Sequence, residues 1–269
     1  MTEPGHTVIS AVGVGDYKRN GLISGLRIIS EADAAQAMSQ LVTYEREVGS
    51  TEALHMKSHI YFAWLWEIAR NRRLIDAVTA VLGPDILVLA SRLWIKDPAD
   101  DKYVSWHQDV NYFGIEPSDV TCNIWLALTD ASEQAGCMRF VPGSHTNGLI
   151  DHEITMDEKN LLTRGQTVHG VDVSKSVTAP LHPGEASIHH GHLLHCSPPN
   201  LSDHRRIGFS MILLPAHVRS TTGRRSATLL CGEDKYGYWD LDPEPQCDRD
   251  PAIAARMHQE TKRYVPERA

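Results

Sequence analysis

No run of eighteen apolar residues occurs anywhere in this 269-residue chain, which argues against a membrane-spanning helix. The opening Met1-Thr2-Glu3-Pro4-Gly5-His6 also lacks the basic start and apolar stretch of a secretory signal. A cytoplasmic protein without a membrane partner is the expectation. Cysteines are few and odd in number, Cys122, Cys137, Cys196, Cys231 and Cys247, and no Cys-x-x-Cys pair is present. That pattern argues against a disulfide framework and against a zinc ribbon, so the thiols are read as reduced. An excess of basic residues is missing too. The net charge of −8 disfavours polyanions, and the clusters Arg70-Asn71-Arg72-Arg73 and Arg224-Arg225 are read as solvated faces. No nucleic-acid partner is expected, and the oligomeric state is left open.

What the chain does have is an ordinary apolar content of 42% and fifteen histidines. The apolar content suffices for a sizeable core, and the length suits one large β-rich domain. Two of the histidines frame the most informative feature, His107-Gln108-Asp109 followed by the distant His195 and Arg206. In a strand, residues i and i+2 share a face, so His107 and Asp109 would point together while Gln108 points away. Two imidazoles and one carboxylate on one side of an octahedral ion leave three adjacent positions open, the facial arrangement of non-haem Fe(II) oxygenases. An isolated His-x-Asp is common by chance; its surroundings must decide.

Organisation along the chain is uneven. Residues 1–84 read as helical. Ser30 and Asp33 form a capping-box pattern, Ala35, Met38, Leu41 and Val42 follow at helical spacing, and Gly49 ends the run. A second helix is expected over 61–82, stopped by Gly83-Pro84, with Trp64, Leu65, Trp66 and Ile68 as helix core. From 85 to about 220 the texture changes to short strands at 86–95, 104–112, 121–128, 137–141, 177–181, 186–190 and 207–214, separated by Pro, Gly, Ser and Asp turns. Many short strands imply a sandwich or barrel. The polar segment 147–175 reads as a functional loop. The tail 221–246, carrying Tyr236, Tyr238 and Trp239, reads as an irregular wrap before a short helix near Pro251. No second domain or internal repeat is visible, and a single domain spanning 1–269 is expected.

Three blocks carry a resemblance to a known family. They are Ser105-Trp106-His107-Gln108-Asp109-Val110-Asn111-Tyr112-Phe113-Gly114, then Gly136-Cys137-Met138-Arg139-Phe140-Val141-Pro142-Gly143-Ser144-His145, then His195-Cys196-Ser197-Pro198-Pro199-Asn200-Leu201-Ser202-Asp203-His204-Arg205-Arg206. In order and spacing they resemble the phytanoyl-CoA dioxygenase family from about residue 55 to about residue 220. The resemblance implies a double-stranded β-helix, or jelly roll, mainly β, with the N-terminal helices packed outside and the metal at one open end. It implies Fe(II) held by His107, Asp109 and His195, with 2-oxoglutarate as cosubstrate and O2 as oxidant. It further implies that succinate and CO2 are released as an aliphatic carbon of a small molecule is hydroxylated.

The family's cosubstrate contacts carry over to particular residues. Arg206 stands where an arginine holds the far carboxylate of 2-oxoglutarate, and a guanidinium fork suits that task. Arg205, one residue off, is read as a solvent-facing charge. Ser197 matches a serine bonding the same carboxylate. Trp125 matches a tryptophan beside the cosubstrate and would equally fill core. Lys57 sits where some relatives place a cosubstrate lysine. His189, His190 and His192 are read as supporting or structural, His145 as a turn residue and His169 as a solvated loop residue.

Substrate-rim candidates are Gln108, Asn111, Tyr112, Arg139, Arg164 and Gln166, which flank the motif strand or sit in the loop; Arg164 would meet an anionic substrate or brace that loop. The substrate implied is a small polar metabolite of natural-product, amino-acid or aminophosphonate type. A catalytically silent jelly-roll binding protein, a zinc hydrolase and a related halogenase are the competing readings. Halogenating relatives replace the motif carboxylate with a small residue, so Asp109 speaks for hydroxylation.

Overall fold

Period-2 alternation along the strands builds the architecture. In the computed structural model, which describes residues 11–51 and 54–264, fifteen strands and six α-helices are found. The helices are α1 (Ala11–Asn20), α2 (Glu31–Val48), α3 (Ser58–Tyr61), α4 (Ala63–Ala69), α5 (Arg72–Leu82) and α6 (Pro251–Tyr264). The strands are β1 (Leu22–Arg27), β2 (Ile86–Lys96), β3 (Val104–His107), β4 (Ile115–Glu116), β5 (Cys122–Ala127), β6 (Met138–Phe140), β7 (Glu153–Ile154) and β8 (Gln166–Thr167), followed by β9 (Val177–Ala179), β10 (Glu185–His190), β11 (His195–Ser197), β12 (Arg206–Pro215), β13 (Arg219–Ser220), β14 (Ser226–Cys231) and β15 (Asp240–Leu241). A seven-stranded sheet in the order β1-β10-β5-β12-β2-β14-β15 lies against a four-stranded sheet in the order β3-β11-β6-β9. This is the expected jelly roll.

The larger sheet is apolar on one face and polar on the other. Ile207, Phe209 and Met211 of β12, Ile124 and Leu126 of β5, and Ala186 and Ile188 of β10 point outward into the main core. Helices α2, α4 and α5 cover that face with Leu41, Tyr44, Trp64, Leu65, Trp66, Leu74 and Val78. Each fully buried Leu, Ile or Phe there contributes about 1.5–3 kcal/mol, so the helices are held by burial. On the intervening positions Arg206, Ser210, Asn123, Trp125 and His189 point the other way and line a cavity between the sheets.

Local signals behave as their chemistry dictates, with informative departures. The Ser30 hydroxyl accepts from the Asp33 amide at 3.1 Å, the Asp33 carboxylate accepts in return from the Ser30 amide at 3.2 Å, and Gly49 ends α2 in the left-handed region. The helix expected over 61–82 is three pieces. Phe62 is extended at φ −119°, and the Asn71 side chain caps α5 by accepting from the Arg73 amide. The N-terminal third also contributes a strand, β1, which pairs with β10 and is bulged between Ile23 and Leu26. Gly25, at φ 78°, interrupts a segment too short for its alternation to register. The tail is more regular than a wrap: β14 joins the large sheet beside β2 before α6 starts at Pro251.

Candidate metal and cosubstrate site

His107 ends β3 and His195 begins β11, and the two face each other directly in the antiparallel register. The strand expected over 104–112 ends at His107. Gln108 is still extended, but Asp109 opens a 3-10 turn to Tyr112 because Val110 and Phe113 fold away into a second apolar cluster. The i, i+2 relation nevertheless survives through Gln108. His107 Nε2 lies 3.3 Å from Asp109 Oδ1, His195 Nε2 lies 3.5 Å from Asp109 Oδ2, and one donor atom from each residue falls within 4.8 Å of the other two.

The hydrogen bonds behind these groups decide what they are for. His107 Nδ1 donates to the Ser105 carbonyl at 2.9 Å and His195 Nδ1 donates to the Leu193 carbonyl at 2.9 Å. With those protons committed, each neutral ring turns an Nε2 lone pair toward a carboxylate. Such an arrangement is unfavourable without a cation between the donors, and two nitrogens with one oxygen suit Fe(II). Burial and the neighbouring His107 hold the His195 imidazole well below its usual range, as a ligand requires. Burial alone would raise the Asp109 carboxyl, and hydrogen bonding to its oxygens works against this. His189 contributes by reaching Asp109 Oδ2 at 3.1 Å, and Asn123 donates to the same oxygen.

A second feature lies deeper between the sheets. Arg206, only 2% exposed, donates to the Gly136 carbonyl at 2.8 Å and to the Ser197 hydroxyl, while its Nε has no partner. Lys96, fully buried, donates to the same hydroxyl at 2.7 Å and to the Ser197 carbonyl at 3.0 Å. No carboxylate among the described residues pairs with either cation. Burial, reinforced by the Arg206 charge, lowers the Lys96 ammonium to about 6, and burial lowers Arg206 to about 10. A desolvated guanidinium and a lysine amine that an incoming anion would return to its charged form converge on one hydroxyl and form a receptor for an anion. The far carboxylate of 2-oxoglutarate has the matching charge.

Two glycines permit the close packing around Arg206. A Cβ on Gly136 would sit 2.4 Å from the Pro198 carbonyl, and its φ of 69° suits glycine, so the carbonyl that Arg206 uses depends on this residue. A Cβ on Gly208 would sit 1.9 Å from the Trp125 ring. The indole therefore lies flat on the β12 backbone, with the Arg206 guanidinium carbon 4.9 Å from its centroid. Trp125 both fills core and faces the site.

The structure separates the remaining candidates. Lys57 does not line the cavity: its buried ammonium is bound to Asp242 and Ser226. Gln108 is not on a rim either. It is fully buried and spends its carboxamide on the loop, donating to the Gly148 and His192 carbonyls at 2.8 and 2.7 Å and accepting from the Ile150 amide at 2.7 Å. Arg139 turns away on β6 to donate to Ser176 at 3.0 Å, and Asn111 does not line the cavity. The Tyr112 side chain lies outside the described residues.

Arg164 and Gln166 do line the cavity, and the Gln166 carbonyl oxygen of the side chain is buried without a partner. The loop 147–175 therefore borders the site through Leu162, Thr163, Arg164 and Gln166. Arg205 faces outward as expected, paired with Glu45 at 2.8 Å and Asp97 at 2.9 Å. Sequence reading missed Arg92, Lys96 and Asn123. Arg92 and Lys96 had a signal, since they stand at i and i+4 with Trp94 between them in a largely apolar strand.

With this geometry established, comparison with known proteins is decisive about family. Residues 24–208 match the model of the phytanoyl-CoA dioxygenase family. The chain belongs to the phytanoyl-CoA dioxygenase family. It is 32% identical over 147 residues to phytanoyl-CoA dioxygenase domain-containing protein 1 of Rattus norvegicus, covering 53% of this chain and 50% of that protein. The chain thus spans about half the length of the mammalian relatives it matches. Among solved structures it is similar to the non-heme monooxygenase ThoJ in its apo form, with 28% identity, a TM-score of 0.84 and coverage of 93% of this chain and 95% of that one. CytC3 with Fe(II) and alpha-ketoglutarate shares the fold, with a TM-score of 0.69, 20% identity and coverage of 91% and 97%. The jelly roll of this family member is thereby confirmed independently of its motifs.

Proposed function

We propose that this protein is an Fe(II)- and 2-oxoglutarate-dependent dioxygenase that hydroxylates an aliphatic carbon of a small molecule. The observation that carries this reading is the convergence of His107, Asp109 and His195 beside an arginine–lysine pair that has no carboxylate of its own. His107, Asp109 and His195 would hold the iron, and Arg206, with Ser197 and Lys96 behind it, would hold the far carboxylate of 2-oxoglutarate. When bound, iron and cosubstrate supply the oxidising chemistry: one oxygen atom of O2 ends in succinate, CO2 leaves, and the other oxygen atom enters a C–H bond as an alcohol.

The chain's own residues position and enclose. The two Nδ1–H donors fix the imidazole tautomers, His189 and Asn123 hold Asp109 in place, and Trp125 presses Arg206 toward the cavity. The cavity of about 620 Å³ is large enough for cosubstrate and a small substrate together. Asp109 fills the position that a halide would need, which favours hydroxylation over halogenation. A zinc hydrolase would leave the Arg206 receptor without a purpose.

The test is oxygen-dependent succinate formation from 2-oxoglutarate over a panel of amino acids, aminophosphonates and natural-product precursors, with product mass recorded. A gain of one oxygen atom coupled to succinate supports the reading. Absence of any iron-dependent 2-oxoglutarate turnover, coupled or uncoupled, would sink it.

A further inference from the structure

The cavity holds a third cation that the chemistry above does not use. Arg92 lies on β2 opposite Ser210, four residues along β12 from Arg206, so the backbones of the two arginines are roughly 13 Å apart along the sheet. Its guanidinium carbon stacks 4.0 Å from the Trp94 ring centroid, and the Trp94 indole is itself locked by donating to Ser210 at 2.8 Å. No hydrogen bond or ion pair to the Arg92 side chain exists among the described residues, and its Nε is buried without a partner. Burial lowers the guanidinium to about 10, so it remains charged at neutral pH.

Charge accounting points the same way. Asp109 is the only carboxylate among the described residues that line the cavity, against Arg92, Arg164 and Arg206. If the site works as proposed above, Fe(II) is balanced by Asp109 and the chelating carboxylate, and Arg206 by the far carboxylate. Arg92 is left over. A desolvated cation without a counter-ion is costly to keep, and one face pinned on an indole leaves its donor edge open to a planar or tetrahedral oxyanion. Tyr61, Met56 and Met257 add aromatic and apolar wall to the same cavity.

We propose that Arg92 is the specificity-determining residue that binds the anionic group of the substrate, and that the substrate is an oxyanion, carboxylate or phosphonate, on an apolar or aromatic body. The inference rests on the dioxygenase reading for the identity of the site, and its test reads binding separately from turnover. The probes are 4-phenylbutyrate, 3-phenylpropylphosphonate and the neutral 4-phenylbutyramide, titrated calorimetrically into anaerobic protein loaded with iron and 2-oxoglutarate, and into the protein alone.

At least one acid should bind the wild-type protein ten times or more tightly than the amide, a charge-assisted bond being worth roughly ten- to a hundred-fold. Whichever acid binds better identifies the headgroup. Arg92→Met should erase the preference without weakening the amide, Arg92→Lys should restore part of it, and Arg206→Met should lose 2-oxoglutarate while keeping it. The melting temperature of Arg92→Met should hold or rise, because an unpaired buried charge has gone. Acids no tighter than the amide in the wild type, or a preference that survives Arg92→Met, would overturn the inference; so would a lowered melting temperature with the acid preference unchanged. Failure of iron and 2-oxoglutarate to bind in the loading step would instead strike the dioxygenase reading, and the titration into protein alone still decides the role of Arg92.

Discussion

Lys57 and Arg206 are both almost completely buried, yet their surroundings are opposite. The Lys57 ammonium meets the Asp242 carboxylate and the Ser226 hydroxyl and carbonyl, and Asp242 in turn accepts from Thr228 at 3.1 Å and Arg256 at 2.7 Å. That network ties α3 to β14, to the tail and to α6. Arg206 meets only a carbonyl and a hydroxyl, with Lys96 crowded against the same hydroxyl. Desolvation is paid at both places, and only one recovers it within the chain. A buried cation complete with its carboxylate is architecture; one without is a receptor waiting for an anion from solution.

The most drastic way to break this contrast is to remove what the receptor side is built around. His107→Ala or His195→Ala should abolish Fe(II) binding and succinate formation while the fold persists, because each removes one of three ligands from a scaffold held by burial. Metal content by elemental analysis and far-ultraviolet circular dichroism check the two halves. Retained activity in both variants would overturn the ligand set.

On the architectural side, Lys57→Met should cost at most about 3–5 kcal/mol of stability, because it leaves the buried Asp242 carboxylate to Thr228 and the partly exposed Arg256. Urea unfolding measures it, and adding Asp242→Leu to the same variant should recover much of the loss. The folded fraction should bind 2-oxoglutarate normally, and a selective loss of cosubstrate affinity would return Lys57 to the site.

Arg206→Met should do the reverse. The half-saturating 2-oxoglutarate concentration should rise by an amount corresponding to about 2–4 kcal/mol, with stability held or improved. Arg205→Ala, whose side chain is paired outward with Glu45 and Asp97, is the control, and a larger cosubstrate defect there would contradict the register seen in β12.

The smallest effect is in acid. Burial would raise the Asp242 carboxyl, but Lys57 and Arg256 lower it below its ordinary value, so its stabilisation is complete above the ordinary carboxylate range and fades as pH falls through and below that range. Thermal melts from neutral to acidic pH should therefore decline more steeply in the wild type than in Lys57→Met combined with Asp242→Leu. Parallel slopes would show that other carboxylates dominate.

Much of the molecule was legible because its signals are local. Ser30 with Asp33, Gly49, the turn residues and the alternation of 121–128 and 207–214 act within a few residues of themselves, and the structure honours each. His107 and Asp109 were readable from residue type and spacing, and the family resemblance added His195, Ser197 and Arg206. By itself the sequence determined a β-rich sandwich or barrel and a His-x-Asp pair sharing one face, both consequences of period-2 alternation; the jelly roll, His195 as third ligand and the choice of Arg206 over Arg205 came from the family resemblance. Only tertiary structure decided which buried cations have partners. Lys57 is matched by Asp242, 185 residues away, whereas Arg92 and Arg206 point into a cavity with one carboxylate, and no local pattern records so distant a pairing. Likewise Gln108 was read as rim from its place beside the motif, but the loop around Gly148 and Ile150 folds back to claim its amide. Counter-ions and hydrogen-bond partners are set by contacts across the fold, and those are what separate a structural polar residue from a functional one.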